Sequence, residues 1–320
     1  MKKTEQPYIL VFGISIYDIF GFTNQGYRTH DSNPGKVKVS FGGVCRNIAE
    51  NLGRIGTTTN FISVVGDDEK GRSMISHAKS ANFDMTDSLV VSGESTPTYM
   101  AILDEHGEMV SAIVDVTIAD YLTPEFVDER VDVIENSEYM IFGSDNPETL
   151  EYILKKFHGK TKFVLDPVSA AKAKTLTHLI PYFHTIKPNR HEAEALVGFE
   201  IKTQEDLKKA GAFFLGQGVS KIFISLDADG VYYNDGIEEG IIKTSNVDVV
   251  NVTGAGDAFL AGVGYGYMNE LSVIETVKFA QMMSIITISH EDTIHPNLTE
   301  AFIKSEMMRY EWEVTDLKQK

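Results

Sequence analysis

The chain has 320 residues, 42% of them hydrophobic and 23% charged, globular proportions that exclude a disordered or collagen-like polymer. Lysine and arginine number 29 against 46 aspartates and glutamates, a net charge of −17. A surface that acidic repels nucleic-acid backbones and anionic lipid, although a few local N–H donors can still hold a small anion. One cysteine, Cys45, excludes an intrachain disulfide framework and a multi-cysteine metal site, and it suits a reducing cytoplasm. The basic start, Lys2 and Lys3, leads into an apolar stretch that soon meets Asp18. No apolar run approaches the roughly 18–20 residues of a membrane helix. A soluble, cytoplasmic protein is expected.

In chain order, β-branched and aromatic runs alternate with helical patterns, which predicts one α/β domain over residues 1–320 with a mainly parallel sheet. Strands are predicted at 8–14, 60–65, 139–143, 162–166, 184–187 and 221–226. Val44, Ile48, Leu52 and Ile55 recur at helical spacing and mark one amphipathic face. Further helices are predicted at 150–157, 192–197 and 207–215, and the last third reads as helical, from Gly254, over 273–289, and from Thr299. Two stretches, 15–42 and 96–118, read instead as extended hairpins. Insertions of that length at strand ends are where a lid belongs.

Four groups of residues carry chemistry. Asn251-Val-Thr253-Gly254-Ala255-Gly256-Asp257 runs into a helix beginning near Asp257. Backbone N–H groups in such a turn form an anion cradle. An aspartate there opposes phosphate binding but suits a base acting on an attacking hydroxyl; alternatively it is only a helix N-cap. Gly42-Gly43 opens another helix with Asn47 one turn in, and Asp18 is a polar residue among Ile16, Ile19 and Phe20. These suit hydroxyl groups of a ligand, or a turn and a loop cap. Asn189 and Glu192 can present an amide and a carboxylate together, or form a capping box. Asp166, and Ser225 with Asp227 and Gly230, close two further strands.

Three patterns mislead. Residues 66–73 nearly spell a P-loop, but Arg72 replaces the lysine and three acids line the turn. His191-Glu192 begins like a zinc-protease helix, yet residue 195 is alanine. Gly262, Gly264 and Gly266 lack dinucleotide spacing and fit close helix packing.

Together and in this order, these pieces resemble the ribokinase-like (PfkB) family of sugar and nucleoside kinases over nearly the whole chain. The resemblance rests on Gly42-Gly43 with Asn47, the Gly66/Asp67/Gly71 turn, Asn189 with Glu192, and Gly254-Ala-Gly-Asp257. Within the family, GGVCRNIAENLGRIG, DPVSAAKA, NVTGAGDAF and TIHPNLT are most similar to the pseudouridine kinases. Ribose kinases more typically carry Gly-Ala-Asn where this chain has Arg46 before Asn47.

The resemblance implies a three-layer α/β/α domain with a β-strand lid built from 15–42 and 96–118, often a homodimer interface. It makes Asp257 the base and Gly254, Ala255 and Gly256 the anion hole. It puts Asp18, Gly42, Gly43, Asn47, Thr98 and Asp166 on the acceptor side, and Asn189, Glu192, Ser225, Asp227, Gly230 and Thr253 on the nucleotide side. Glu192 would reach magnesium through water. Asn251 stands where many members hold a monovalent cation with aspartate, so weak potassium dependence is expected. The implied activity is ATP- and Mg²⁺-dependent phosphorylation of the 5′-hydroxyl of pseudouridine. The group reading the base is expected in Thr98–Leu103 or the first insertion. Other readings are a kinase for another nucleoside or sugar (adenosine, inosine, ribose, fructose), or a nucleoside-binding regulator on a kinase scaffold. No nucleic-acid polymer or membrane is expected as partner.

Overall fold

The computed structural model describes residues 6–144, 146–245 and 247–318; Lys2 and Lys3 lie outside them. Ile9–Phe12, sequence ILVF, is buried along its whole length. Its side chains alternate between two cores: Leu10 and Phe12 enter one, Ile9 and Val11 the other. A strand apolar on both faces must be covered on both, which is why a sheet of such strands sits between two helical layers.

That sheet has nine strands. Thr59–Ile62, Ile9–Phe12, Tyr139–Phe142, Lys162–Leu165, Thr185–Ile186 and Lys221–Ser225 run parallel in that spatial order. Val231–Asn234, Glu239–Thr244 and Trp312–Asp316 continue it antiparallel. These three were not among the predicted strands, and the last shows that the final third is not wholly helical. The predicted strand at 60–65 is broken. Thr59–Ile62 stays in the large sheet, while Val64–Gly66 pairs with Leu89–Val91. Between them Ser63 is buried and bonded sideways, its N–H to Ser88 Oγ and its Oγ to Ser15 N–H, both at 3.0 Å.

The helices Ala255–Met268 and Val273–Ile288 pack closely because glycine faces small residues. A Cβ on Gly262 would lie 2.4 Å from Ala280 Cα, and one on Gly266 2.5 Å from Thr276 Oγ1. Any larger residue would force the helices apart. Val44–Arg54 departs from the amphipathic expectation: residues 45 to 53 are all buried, Arg46, Asn47 and Glu50 included. It is covered by the Ala255–Met268 helix as well as the sheet, so its polar residues find partners inside the protein.

The two predicted hairpins form a separate sheet of four strands. Ile16–Thr23 pairs antiparallel with Gly35–Gly42 and parallel with Thr98–Leu103, which pairs antiparallel with Met109–Asp115.

Candidate active site

A cleft of about 430 Å³ opens between the small sheet and the Gly254 turn. It lies past the carboxyl end of Ile9–Phe12, where open α/β sheets take ligands. Alternate residues of one strand, Ile16, Asp18 and Phe20, line it together with Ser40 from the neighbouring strand. Register explains the grouping, because Asp18 pairs with Ser40 and both side chains leave the same face. Gly42, Gly43, Asn47, Thr253, Gly254 and Asp257 complete the inner wall.

The helix carrying Asp257 starts two residues before its aspartate, at Ala255. Gly254 is the N-cap, at φ 84°, and no side chain caps the helix. The N-cap reading of Asp257 is thereby excluded: it is the third helical residue. Its neighbours leave no room for side chains, since a Cβ on Gly254 would fall 2.6 Å from Thr293 O and one on Gly256 2.8 Å from Lys187 Nζ. First-turn N–H groups without a side-chain cap are donors for an incoming anion.

Asp257 is buried, and Asn47 donates its Nδ2 hydrogen to Asp257 Oδ2 at 2.8 Å. Burial and then the charge of Asp166 push the Asp257 carboxyl up to about 7, against the opposing pull of Asn47 and Lys187. A carboxylate poised near neutrality suits a base. Asp18 is pushed up to about 6 by burial, with Arg46 opposing. Gly42 makes space for it, because a Cβ there would lie 2.1 Å from Asp18 Oδ2. At φ 96°, Gly43 turns the chain from strand into helix.

Behind the Gly254 turn lies a buried ionic group. Lys187 donates to Asp166 Oδ2 at 3.2 Å. Burial alone would lower the amine's pKa, but the charges of Asp166, Glu192 and Asp257 outweigh it and hold the group above its usual range. Glu192 is raised by burial and by Asp166. The capping box is real: Asn189 Oδ1 accepts from Glu192 N–H at 2.9 Å and Glu192 Oε2 from Asn189 N–H at 2.8 Å. That leaves the other Glu192 oxygen for a second role.

The expected residues do not all converge. Asp166 sits beside Lys187 and does not line the cleft, because its Oδ1 is turned onto Val168 N–H at 2.8 Å. Thr98 does not line the cleft either. It pairs with Tyr17, on the face of the small sheet opposite Asp18, donates to Thr96 O and accepts from Lys70 Nζ. None of Thr98–Leu103 lines the cleft. Ser225 bridges to Asn189, Asp227 opens a short turn, and Gly230 is pressed against the Ile242 carbonyl at the next strand. Asn251 is held in the turn, accepting from Thr253 N–H and donating to Glu291 O at 3.1 Å. Lys187, and the cleft residues Lys172 and Thr293, were not singled out from the sequence. Their only signal was that all three fall within or beside stretches carrying the family resemblance.

Among the described residues, no group of three or more His, Cys, Asp or Glu side chains is placed to hold a metal ion. None of their helices is long and apolar enough to cross a membrane.

The family model for pfkB family carbohydrate kinases matches residues 6–300. The pseudouridine kinase of Escherichia coli (strain K12) is 36% identical over 303 residues, covering 94% of this chain and 96% of that protein. The ribokinase of Haemophilus influenzae is 29% identical, covering 84% of this chain and 86% of its own. The crystal structure of a Clostridium perfringens protein assigned as a sugar kinase superposes with a TM-score of 0.95 at 55% identity, covering 98% of this chain and 99% of that one.

Proposed function

The chain belongs to the PfkB family of carbohydrate kinases and is a phosphotransferase acting on a hydroxyl group, and within that family we propose that it phosphorylates the 5′-hydroxyl of pseudouridine from ATP. The observation that carries the reading is Asp257 at the third position of an uncapped helix, facing the same cleft as Asp18 and Asn47. A protein that only bound phosphate would gain nothing from a carboxylate there, which weighs against a purely regulatory role.

The residues fit a magnesium–nucleotide. Asp166, Glu192 and Asp257 all act on the charge of Lys187 but do not close into a three-carboxylate cage, which suits an ion held mainly by the nucleotide's phosphates and reached from one side by a carboxylate. The bare Gly254 turn fits the phosphate. Bound Mg²⁺–ATP supplies the phosphoryl group and spreads its charge. Glu192 would hold the ion through water, while Asn189, Ser225, Asp227, Gly230 and Thr253 flank the nucleotide. Asp18 and Asn47 orient the ribose, Asp257 takes the proton of the attacking hydroxyl, and the amides of Ala255 and Gly256 steady the developing charge. The small sheet acts as the lid, closing out the water that would otherwise be phosphorylated in place of the substrate.

Both ends of the Asn251 amide are occupied, one by Thr253 N–H in its turn and one by the Glu291 carbonyl, and carry no formal charge, so potassium adds little. On the face of the small sheet turned away from Asp18, Val37, Val39, Met100 and Ile113 are exposed. An apolar face of that kind suits a second copy of the chain.

Substrate identity rests on the base. Pseudouridine offers an N1–H where uridine has only C–H. Ser40 can accept that hydrogen and Lys172 can donate to a ring carbonyl, both from the cleft wall. A site built around a substrate N–H rejects the analogue lacking it by about 10⁴–10⁵-fold. The test is kcat/KM with saturating MgATP for pseudouridine, uridine, adenosine, ribose and fructose. Pseudouridine should lead. Equal values for uridine, or preference for adenosine or a free sugar, would remove the pseudouridine assignment and leave the kinase.

A further inference from the structure

Arg46 is a buried guanidinium outside the catalytic cleft, and its contacts are specific. Nη1 donates to the backbone carbonyl of Phe41 at 2.9 Å and to Asn47 Oδ1 at 3.2 Å, while Nη2 pairs with Glu50. Phe41 belongs to the small-sheet strand Gly35–Gly42, and its ring lies beneath the guanidinium. Glu50 is itself fixed, accepting from Arg54 Nε at 2.7 Å and meeting His77 Nε2 at 3.0 Å.

The contact with Asn47 settles the orientation of that amide. With Oδ1 taken by the guanidinium, Nδ2 must face Asp257, which it does at 2.8 Å. The flipped amide would set its oxygen against a carboxylate and its NH₂ against a cation, losing both bonds and adding two repulsions. A continuous path of hydrogen bonds thus runs from Phe41 O through Arg46 and Asn47 to Asp257 Oδ2. Only the Gly42-Gly43 turn separates Phe41 from the helix bearing Arg46. The small sheet and the guanidinium are therefore joined both through the chain and by the bond to Phe41 O.

Resting on the assignment of Asp257 as base, we propose that Arg46 is a positioning residue that couples the small sheet to the catalytic carboxylate. It holds Asn47 in the flip that aims Asp257 at the acceptor hydroxyl when the sheet is seated. The competing explanation is that Arg46 serves only as the charge partner of Glu50.

Arg46→Lys separates the two. Lysine keeps the charge beside Glu50 but has one nitrogen where the guanidinium uses two, so a lysine seated on Glu50 leaves Phe41 O and Asn47 Oδ1 without the donor that Nη1 supplies. Turnover would be measured in the full-length protein with and without Asn47→Ala, alongside Tm and calorimetric binding of MgATP. The expected result is a kcat loss of about tenfold for Arg46→Lys in the folded protein, with MgATP affinity unchanged. On the Asn47→Ala background the further loss should be under about twofold, because the residue acts through Asn47. Arg46→Gln, which leaves Glu50 with Arg54 and His77, enters the same cycle and should lose at least as much if the lysine variant fails to fold. Full kcat in a folded variant, or the same fractional loss on both backgrounds, overturns the inference. Absence of turnover in the unsubstituted protein with every acceptor would overturn the kinase–acceptor reading and this inference with it, so the two failures are distinguishable.

Discussion

Residues 66–73 enter Glu69–Ser80 through a glycine-containing turn, and residues 251–257 enter Ala255–Met268 through another. At the first, Asp68 closes the helix start, accepting from Gly71 N–H at 2.8 Å and also from Thr96 N–H and Oγ1. At the second, the N-cap is a glycine, no side chain caps the helix, and the acidic residue is moved inward to Asp257. The first turn spends its donors on its own stability. The second leaves its donors without a side-chain cap, Ala255 N–H reaching only Val252 O at 3.4 Å, and keeps a costly buried carboxylate beside them. Composition alone does not separate the two; the position of the acid relative to the helix start does.

The largest effect expected from that contrast is at Asp257. Asp257→Asn should lower kcat by roughly 10²–10⁴-fold while MgATP and nucleoside binding persist. The same variant should be more thermostable than the parent at about pH 8. The folded protein holds the Asp257 proton up to about 7, whereas an unfolded aspartate releases it near about 3.9, so the ionised group opposes folding as pH rises between those values. The Tm gap should close as pH falls from about 7 toward about 4. Near-normal turnover, or a lower Tm at about pH 8, would break the comparison.

The smaller effect is at the closed turn. Asp68→Ala should cost about 1–2 kcal/mol of stability, the worth of an N-cap with extra bonds, with kcat kept. Burial alone would raise the Asp68 pKa, but the hydrogen bonds from Thr96 and Gly71 outweigh it and hold the carboxyl below its usual range. The stability it contributes is therefore present above the unfolded aspartate pKa and lost as pH falls, so the deficit should shrink in acid. Denaturant melts at two pH values check this, and a large loss of kcat in a folded protein would sharpen the contrast in the wrong direction.

The parallel strands, both hairpins and both glycine turns were legible because each is written locally, as an apolar run, an alternation or a turn signal. What was missed is non-local. Val231–Asn234, Glu239–Thr244 and Trp312–Asp316 join the sheet from its edge, two of them with exposed or half-buried positions that weaken the apolar signal. Thr98 was assigned to the cleft, but which face it takes depends on its pairing with Tyr17 rather than Asp18. A register of that kind between strands far apart in sequence cannot be read from either strand alone. Lys187 meets Asp166 from 21 residues away, and neither residue announces the other. Arg46 and Glu50 do stand at i, i+4, yet nothing local shows that the pair is buried or that it reaches Asn47.

The pH dependence of kcat/KM for the nucleoside under saturating MgATP tests the central claim most directly. If Asp257 at the bare helix start is the base, the rate should rise with pH through a midpoint near about 7 as its proton leaves, and Asp18→Asn should keep that midpoint while raising KM. A profile flat from about pH 5 to about pH 9, or a midpoint that disappears with Asp18 and not with Asp257, would contradict the account.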